Sequence, residues 1–203
     1  MHPTEPAVPL PLDLELAEDS LLLRPWQPDD APALHAAVQE SMETVGRWMP
    51  WCHAGYDLGE AQAWIRHCRE AWAAEEQFAF GVFAPDDGRL LGSIGLNHRN
   101  RMHRSAALGY WVRQSCQGRG IARRATRIAA RFGFQMLALV RIEIVALPDN
   151  QASRRAAEQA GARFECIARH RLWERDQARD AAVYALVPGD LTPQGPTANN
   201  AHM

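Results

Sequence analysis

The segment Gln117-Gly118-Arg119-Gly120-Ile121-Ala122 has the residue types of an anion-binding turn. Gly118 and Gly120 let the backbone turn tightly and come close to a ligand. The helical pattern behind them presents unpaired N–H groups and a partial positive charge, a seat for phosphate. Arg119 can add charge-assisted hydrogen bonds. A purely structural turn before a helix has the same composition, so the loop alone leaves both readings open. Two other phosphate-binding patterns fit poorly. A Walker loop needs a Lys followed by Ser or Thr, and the chain has no Lys. The dinucleotide fingerprint needs a third Gly where Arg123 stands, and it belongs in a parallel sheet.

Other side chains could act beside such a loop. Asn150 and Ser153 stand at the start of a later helical pattern, where Ser suits helix N-terminal chemistry as well as catalysis. His98 follows a strand pattern and is a base by residue type, histidine being the side chain that changes charge near neutral pH. No carboxylate lies between Asn97 and Tyr110. Trp48 and Trp51 could wall a pocket or simply pack. The four cysteines contain no CxxC pair, so neither a zinc site nor a disulfide framework is expected, and free thiols fit a reducing compartment.

These residues need a scaffold. Hydrophobic residues make up 47% and charged residues 23% of 203 residues, the composition of one ordinary globular domain. A formal charge of −2 gives no reason to expect nucleic acid as a partner. The opening residues lack the basic start and apolar run of a secretory signal, and no apolar stretch approaches the roughly 20 residues of a membrane helix. A cytoplasmic protein is the expectation. Strands are predicted at 21–26, 78–83, 90–96, 105–112, 141–147, 163–171 and 181–187. Helices are predicted after Asp29 or Asp30, at 59–74, 120–137 and 151–160. On the second, Ala63, Trp64, His67, Cys68 and Ala71 read as one stripe. On the third, Ile121, Ala125, Ile128, Phe132 and Met136 form the apolar stripe, and Arg119, Arg123, Arg127 and Arg131 the opposite one. The order implies a mixed α/β (α+β) fold with a mostly antiparallel sheet, flanking helices and one strand–helix–strand crossover after the glycines. Prolines make 1–19 a tail, 20–187 is the single domain, and 188–203 is a second tail.

With that order in place, three motifs resemble those of the GNAT acetyltransferases. Gln117-Gly118-Arg119-Gly120-Ile121-Ala122 looks like the family's Q/R-x-x-G-x-G/A signature, which grips the pyrophosphate of acetyl-CoA. Gly109-Tyr110-Trp111-Val112 resembles the splayed strand whose backbone pairs with the pantetheine arm. Asn150-Gln151-Ala152-Ser153 is similar to the family's N-x-x-S element. Leu23-Arg24-Pro25, Asp30 to Leu34 and Asp149 to Ser153 resemble the RimJ/RimL branch, known for N-terminal acetylation of ribosomal proteins.

The resemblance implies acetyl-CoA as cofactor and no metal. It implies that Asn150 holds the pantetheine and Ser153 hydrogen-bonds or protonates the CoA sulfur, and that Tyr110, Trp111 and Val112 act through their backbones. Arg119 and Arg123 would reach the CoA phosphates, with Arg154 and Arg155 as candidates for the 3′-phosphate, while Arg127 and Arg131 read as a solvated face. His98 is the candidate base near the acceptor cleft. The implied reaction is acetyl transfer to an amine, first of all a protein N-terminal α-amine. The alternatives are a small-molecule amine such as an amino acid, polyamine or antibiotic, and a CoA-binding module without turnover. A homodimer is a family-level expectation with no interface residue attached.

Overall fold

The strand β3 (Phe78–Phe83) is buried along its whole length, and its side chains divide between two apolar clusters. Phe78, Phe80 and Val82 join one cluster, Ala79 and Phe83 the other. Neighbouring strand residues point to opposite faces, so helices must cover both sides of the sheet. The computed structural model, which describes residues 10–18 and 20–191, has that layering. Helices α1 (Ala31–Glu40) and α2 (Leu58–Ala73) bring Leu34, Val38, Ile65 and Cys68 to one face. Helix α3 (Ile121–Gln135) brings Ile121, Ala125, Ile128 and Phe132 to the other. Fully burying a side chain of the larger kind is worth roughly 1.5–3 kcal/mol, so these stripes hold the helices in place.

The remaining strands are β1 (Leu16–Glu18), β2 (Leu21–Pro25), β4 (Leu90–Asn100), β5 (Ser105–Val112), β6 (Arg141–Ala146), β7 (Arg163–Glu174) and β8 (Gln177–Leu186), with helix α4 (Gln151–Ala160) between β6 and β7. The sheet runs β1-β2-β3-β4-β5-β6-β8-β7. Every neighbouring pair is antiparallel except β5 and β6, which α3 connects as the expected crossover. That pair is short. Ser105, Ala106 and Ala107 face Arg141, Ile142 and Glu143, and no further rung follows. Residues 108–112 stay paired with β4 while β6 goes on to pair with β8. The sheet therefore forks beyond Ala107.

Local chemistry explains the helix ends. Asp57 and Glu60 form a reciprocal capping box at the start of α2. Gly161, at φ 104, stops α4 in the left-handed conformation that favours glycine. Asp30 stands at the N-cap of α1 as expected, yet its carboxylate is spent elsewhere. It grips Arg24 of β2 through two 2.7 Å contacts and accepts from the Gln27 N–H.

Four sequence expectations change. The proline-rich start does not stand apart from the domain over 10–18: Leu10 is buried, its carbonyl accepts from the Trp72 indole at 2.9 Å, and β1 pairs with β2. Prolines limit helix and central strand, but an edge strand of three residues escapes that limit. The stripe assigned to α2 mixes two faces. Ala61, Ile65, Cys68, Ala71 and Trp72 are buried, whereas Ala63, Trp64 and His67 are exposed on another side. Arg127 is not a solvated residue, because it donates to the carbonyls of Ala160 and Leu191 and braces α3 against the end of α4. Arg131 pairs with Glu18 of β1. Of the expected C-terminal tail, Pro188–Leu191 forms a short 3-10 turn with Leu191 buried. The prolines at 3, 6 and 9 and the rest of 192–203 lie outside the described residues.

Candidate active site

The fork between β5 and β6 opens into a cavity of about 410 Å³. One wall is the glycine loop and the first turn of α3, lined by Gln117, Gly118, Gly120, Ile121, Ala122 and Arg123. Gly118 and Gly120 have φ of 75 and 70, so glycine is required there by backbone conformation. Crowding plays no part. A Cβ added at Gly118 would meet nothing within 4 Å, and one at Gly120 only the Arg123 Nε at 4.0 Å. The space above the helix is open, and the first N–H to bond back into the helix is that of Arg124, to Gly120 O at 3.1 Å. The N–H groups of Ile121, Ala122 and Arg123 thus lack intrahelical acceptors and face the cavity end of the helix dipole.

The basic residues divide sharply. Arg123 and Arg155 line the cavity, and neither has a carboxylate partner among the described residues. Arg119 is exposed and lies outside the cavity wall, with its carbonyl accepting from Arg124. Arg154 turns inward, donating to the Tyr184 hydroxyl and the Pro148 carbonyl at 2.9 Å each. Of the two arginines expected at a 3′-phosphate, only Arg155 faces the open space.

The opposite wall joins β5 to α4. Tyr110, Trp111 and Val112 line it, together with Asn150 and Ser153. Asn150 is the N-cap of α4, its side-chain oxygen accepting from the Ser153 N–H at 3.1 Å. Ser153 is therefore not the cap. Its hydroxyl lies 3.2 Å from the Tyr110 hydroxyl, which also donates to the Ser153 carbonyl at 2.8 Å. Burial is the main influence on the Tyr110 phenol and pushes it up to about 12, partly opposed by the bond to Ser153. The phenol stays protonated through neutral pH and is a hydrogen-bond donor. Sequence reasoning assigned Tyr110 only a backbone role, since nothing in a linear pattern shows a phenol meeting a serine 43 positions away.

The loop is held from behind by α1. Glu40 accepts from Arg113 Nε at 2.6 Å and from the Ser115 N–H at 2.8 Å, and the buried Ser41 hydroxyl accepts from the Gln114 N–H. Gln117 points its amide at Thr44 and at the Val112 carbonyl, so its side chain fastens the loop.

A second cavity, about 560 Å³, adjoins the first and shares Met49, Tyr110 and Trp111 with it. Trp51, Tyr56 and Trp64 line it together with Tyr110 and Trp111. The two tryptophans that could wall a pocket or simply pack separate here. Trp51 lines this second cavity, whereas Trp48 lines the first. His98 lines neither. It is exposed, with φ 48, where the β4–β5 pairing becomes irregular between Asn97 and Asn100. Besides the phenols of Tyr56 and Tyr110, the titratable groups that do line the second cavity are Glu60 and His67 of α2. Glu60, Ala63, Trp64 and His67 recur at helical spacing, a polar-aromatic stripe legible in the sequence once the buried stripe is separated from it.

An open strand edge, a phosphate seat on a helix N-terminus and an adjoining second cavity have a counterpart among known families. A family model described as an acetyltransferase (GNAT) domain matches residues 20–163. This chain belongs to the GNAT acetyltransferases. Among its relatives, this GNAT chain is 27% identical over 183 residues to the [ribosomal protein uS5]-alanine N-acetyltransferase of Escherichia coli, covering 89% of this chain and 94% of that one. YdaF of Bacillus subtilis is 26% identical over 171 residues, covering 83% of this chain and 92% of its own. The solved RimJ of Mycobacterium smegmatis, in complex with CoA-disulfide, superposes with a TM-score of 0.76 at 25% identity, over 85% of this chain and 84% of that one. The likeness runs to the RimJ/RimL-like branch, and the GNAT fold expected from the sequence is the fold present. No described helix of this acetyltransferase is long and apolar enough to cross a membrane.

Proposed function

We propose that this acetyltransferase takes its acyl group from acetyl-CoA in the first cavity and transfers it to the α-amine of a peptide in the second. The observation that carries the reading is the meeting of the two cavities at Tyr110 and Trp111. The fit of acetyl-CoA rests on features of different kinds. The glycines leave open space over the unpaired N–H groups of α3, which suits a pyrophosphate. Arg123 and Arg155 add charge, with no carboxylate among the described residues competing for them. Residues 108–112 offer a strand edge that β6 has left, which suits the amides of a pantetheine arm.

Acetyl-CoA supplies an activated acetyl thioester. The residues of the chain then have separate tasks. Asn150 fixes the start of α4 and keeps its amide N–H groups available to the cavity. The Tyr110 proton goes to the Ser153 carbonyl, which leaves the Ser153 hydroxyl, 3.2 Å from the phenol, to donate toward a departing thiolate at the cavity wall. A hydroxyl is a poor acid, so the pair serves as hydrogen-bond donor and relay. Glu60 and His67 can accept a proton from the incoming amine, and a peptide α-amine needs little help because its reference pKa is near 8, about two units below that of a Lys side chain. The uS5-alanine and RimJ names of the relatives support a protein N-terminus as acceptor.

The test is release of free thiol from acetyl-CoA in the presence of short peptides with free N-termini, or of free amino acids, polyamines and aminoglycosides. Peptide-dependent release is expected, with the product blocked at its α-amine. Release with a small amine and none with any peptide would overturn the peptide reading.

A further inference from the structure

The second cavity is larger and greasier than the transfer of an acetyl group to a small N-terminal residue requires. At about 560 Å³ it has the capacity of a typical small-molecule site. Five aromatic rings, those of Trp51, Tyr56, Trp64, Tyr110 and Trp111, line it. Trp51 stands edge-on to Trp111 at 5.7 Å and tilted against Tyr56 at 6.4 Å, so the rings brace one another without filling the space. Trp64 faces the same space from α2. Trp51 and Trp64 are 39% and 40% exposed, an unusual state for two indoles of one site in the absence of something to cover them. Of the polar side chains in the lining, which include Gln77 and Asn97, the Ser93 hydroxyl donates away to the Phe80 carbonyl at 2.8 Å. The Tyr56 hydroxyl makes no hydrogen bond among the described residues. The one carboxylate, Glu60, is half exposed on α2; it accepts from the Asp57 N–H and lies 3.5 Å from the His53 ring, and its charge complements an ammonium group entering the cavity.

We infer that this cavity receives a bulky apolar side chain next to the acceptor amine, so that α-amines of Phe, Trp or Leu are preferred to those of Ala or Ser. The inference rests on the α-amine reading above and adds the identity of the first residue. A methyl group would leave most of these rings in contact with water, whereas an aromatic side chain would displace that water and pack against them. Continuity with the cofactor cavity places the amine end of such a residue toward Tyr110, which lines both. Because the walls are already braced, little ordering opposes binding.

The experiment measures kcat/KM with acetyl-CoA for pentapeptides differing only in their first residue, Phe, Trp, Leu, Ala, Ser or Lys. A parallel series uses the amides of the same amino acids and spermidine. Calorimetry of phenylalaninamide and alaninamide binding supplies a readout independent of turnover. Hydrophobic pockets discriminate by roughly tenfold or more per group of this size, so a Phe to Ala ratio of at least tenfold is expected. Trp64→Ala, at a half-exposed position where folding is not at stake, is expected to pull that ratio toward one while the acetyl-CoA-induced rise in thermal midpoint persists. An aromatic preference confined to the amides would retain the pocket and overturn the peptide reading. Peptides acetylated with Ala or Ser at least as well as Phe would overturn the pocket and retain the peptide reading. Preference for Lys or spermidine, or no binding and no turnover of any aromatic amine, would also overturn it.

Discussion

The two cavities of this acetyltransferase are made of different material. The cavity proposed for the cofactor draws on backbone: two glycines in the left-handed region, the unpaired N–H groups of α3, and the strand edge abandoned by β6. The cavity proposed for the acceptor is built from side chains, its rings contributed by the α1–α2 connection, by α2 and by β5. A backbone site constrains a few residues strictly and leaves a contiguous motif. A side-chain site can change with every substitution along three elements, and so it is where specificity diverges on a shared scaffold.

Breaking the backbone site should have the largest effect. Gly120→Val forces a β-branched residue to φ 70, a strain of about 1–3 kcal/mol, and fills the open space over the helix. The expected outcome is loss of the rise in thermal midpoint produced by millimolar acetyl-CoA, with each form compared against its own ligand-free baseline. A full rise would show that ligand binding does not use that backbone. Removing a hydroxyl should act on chemistry alone. Ser153→Ala is expected to lower kcat by about 100-fold, in the range of a lost acid–base group, with acetyl-CoA binding retained. Turnover unchanged in that variant would reduce Ser153 to a part of the helix start.

The smallest effect concerns how the backbone site is clamped, and it depends on pH. Burial alone would raise the Glu40 carboxyl, but hydrogen bonds from Ser115 and Arg113 and the Arg113 charge outweigh it and hold the carboxyl at about 2. A depressed folded pKa contributes stability that is complete above the unfolded carboxylate value, near 4.3, and disappears as pH falls toward 2. Glu40→Gln should therefore lower the thermal midpoint by a few degrees at neutral pH, corresponding to about 1–2 kcal/mol. The gap between variant and wild type should close between about pH 4 and pH 2. A gap of constant size down to acid pH would mean that the charge is irrelevant to the clamp.

The same division explains what could be read in advance. Long elements announced themselves by period, and the loop 117–122 by its glycines, because local sequence determines both. Residues assembled across the fold did not. Trp48 and Trp51 lie three positions apart in a stretch without regular spacing, and only the folded chain sends one to each cavity. His98 is close in sequence to the expected cleft, yet the irregular end of β4 leaves it outside, while His67 arrives from a helix 31 residues earlier. Tyr110 was legible as part of a motif, but its bond to Ser153 was not. The strand β1 was missed because three residues carry too little alternation to register against four nearby prolines.

The fork between β5 and β6 has a consequence for the amide protons of the strand itself. Alternate N–H groups of residues 108–112 point away from β4, on the side where no strand accepts them. Those protons should exchange with solvent deuterium orders of magnitude faster than the ones bonded to β4, although both belong to one continuous strand. A molecule lying in the fork would slow the fast set and leave the slow set untouched. The strand would thereby report on occupancy of the cleft one residue at a time, in alternation.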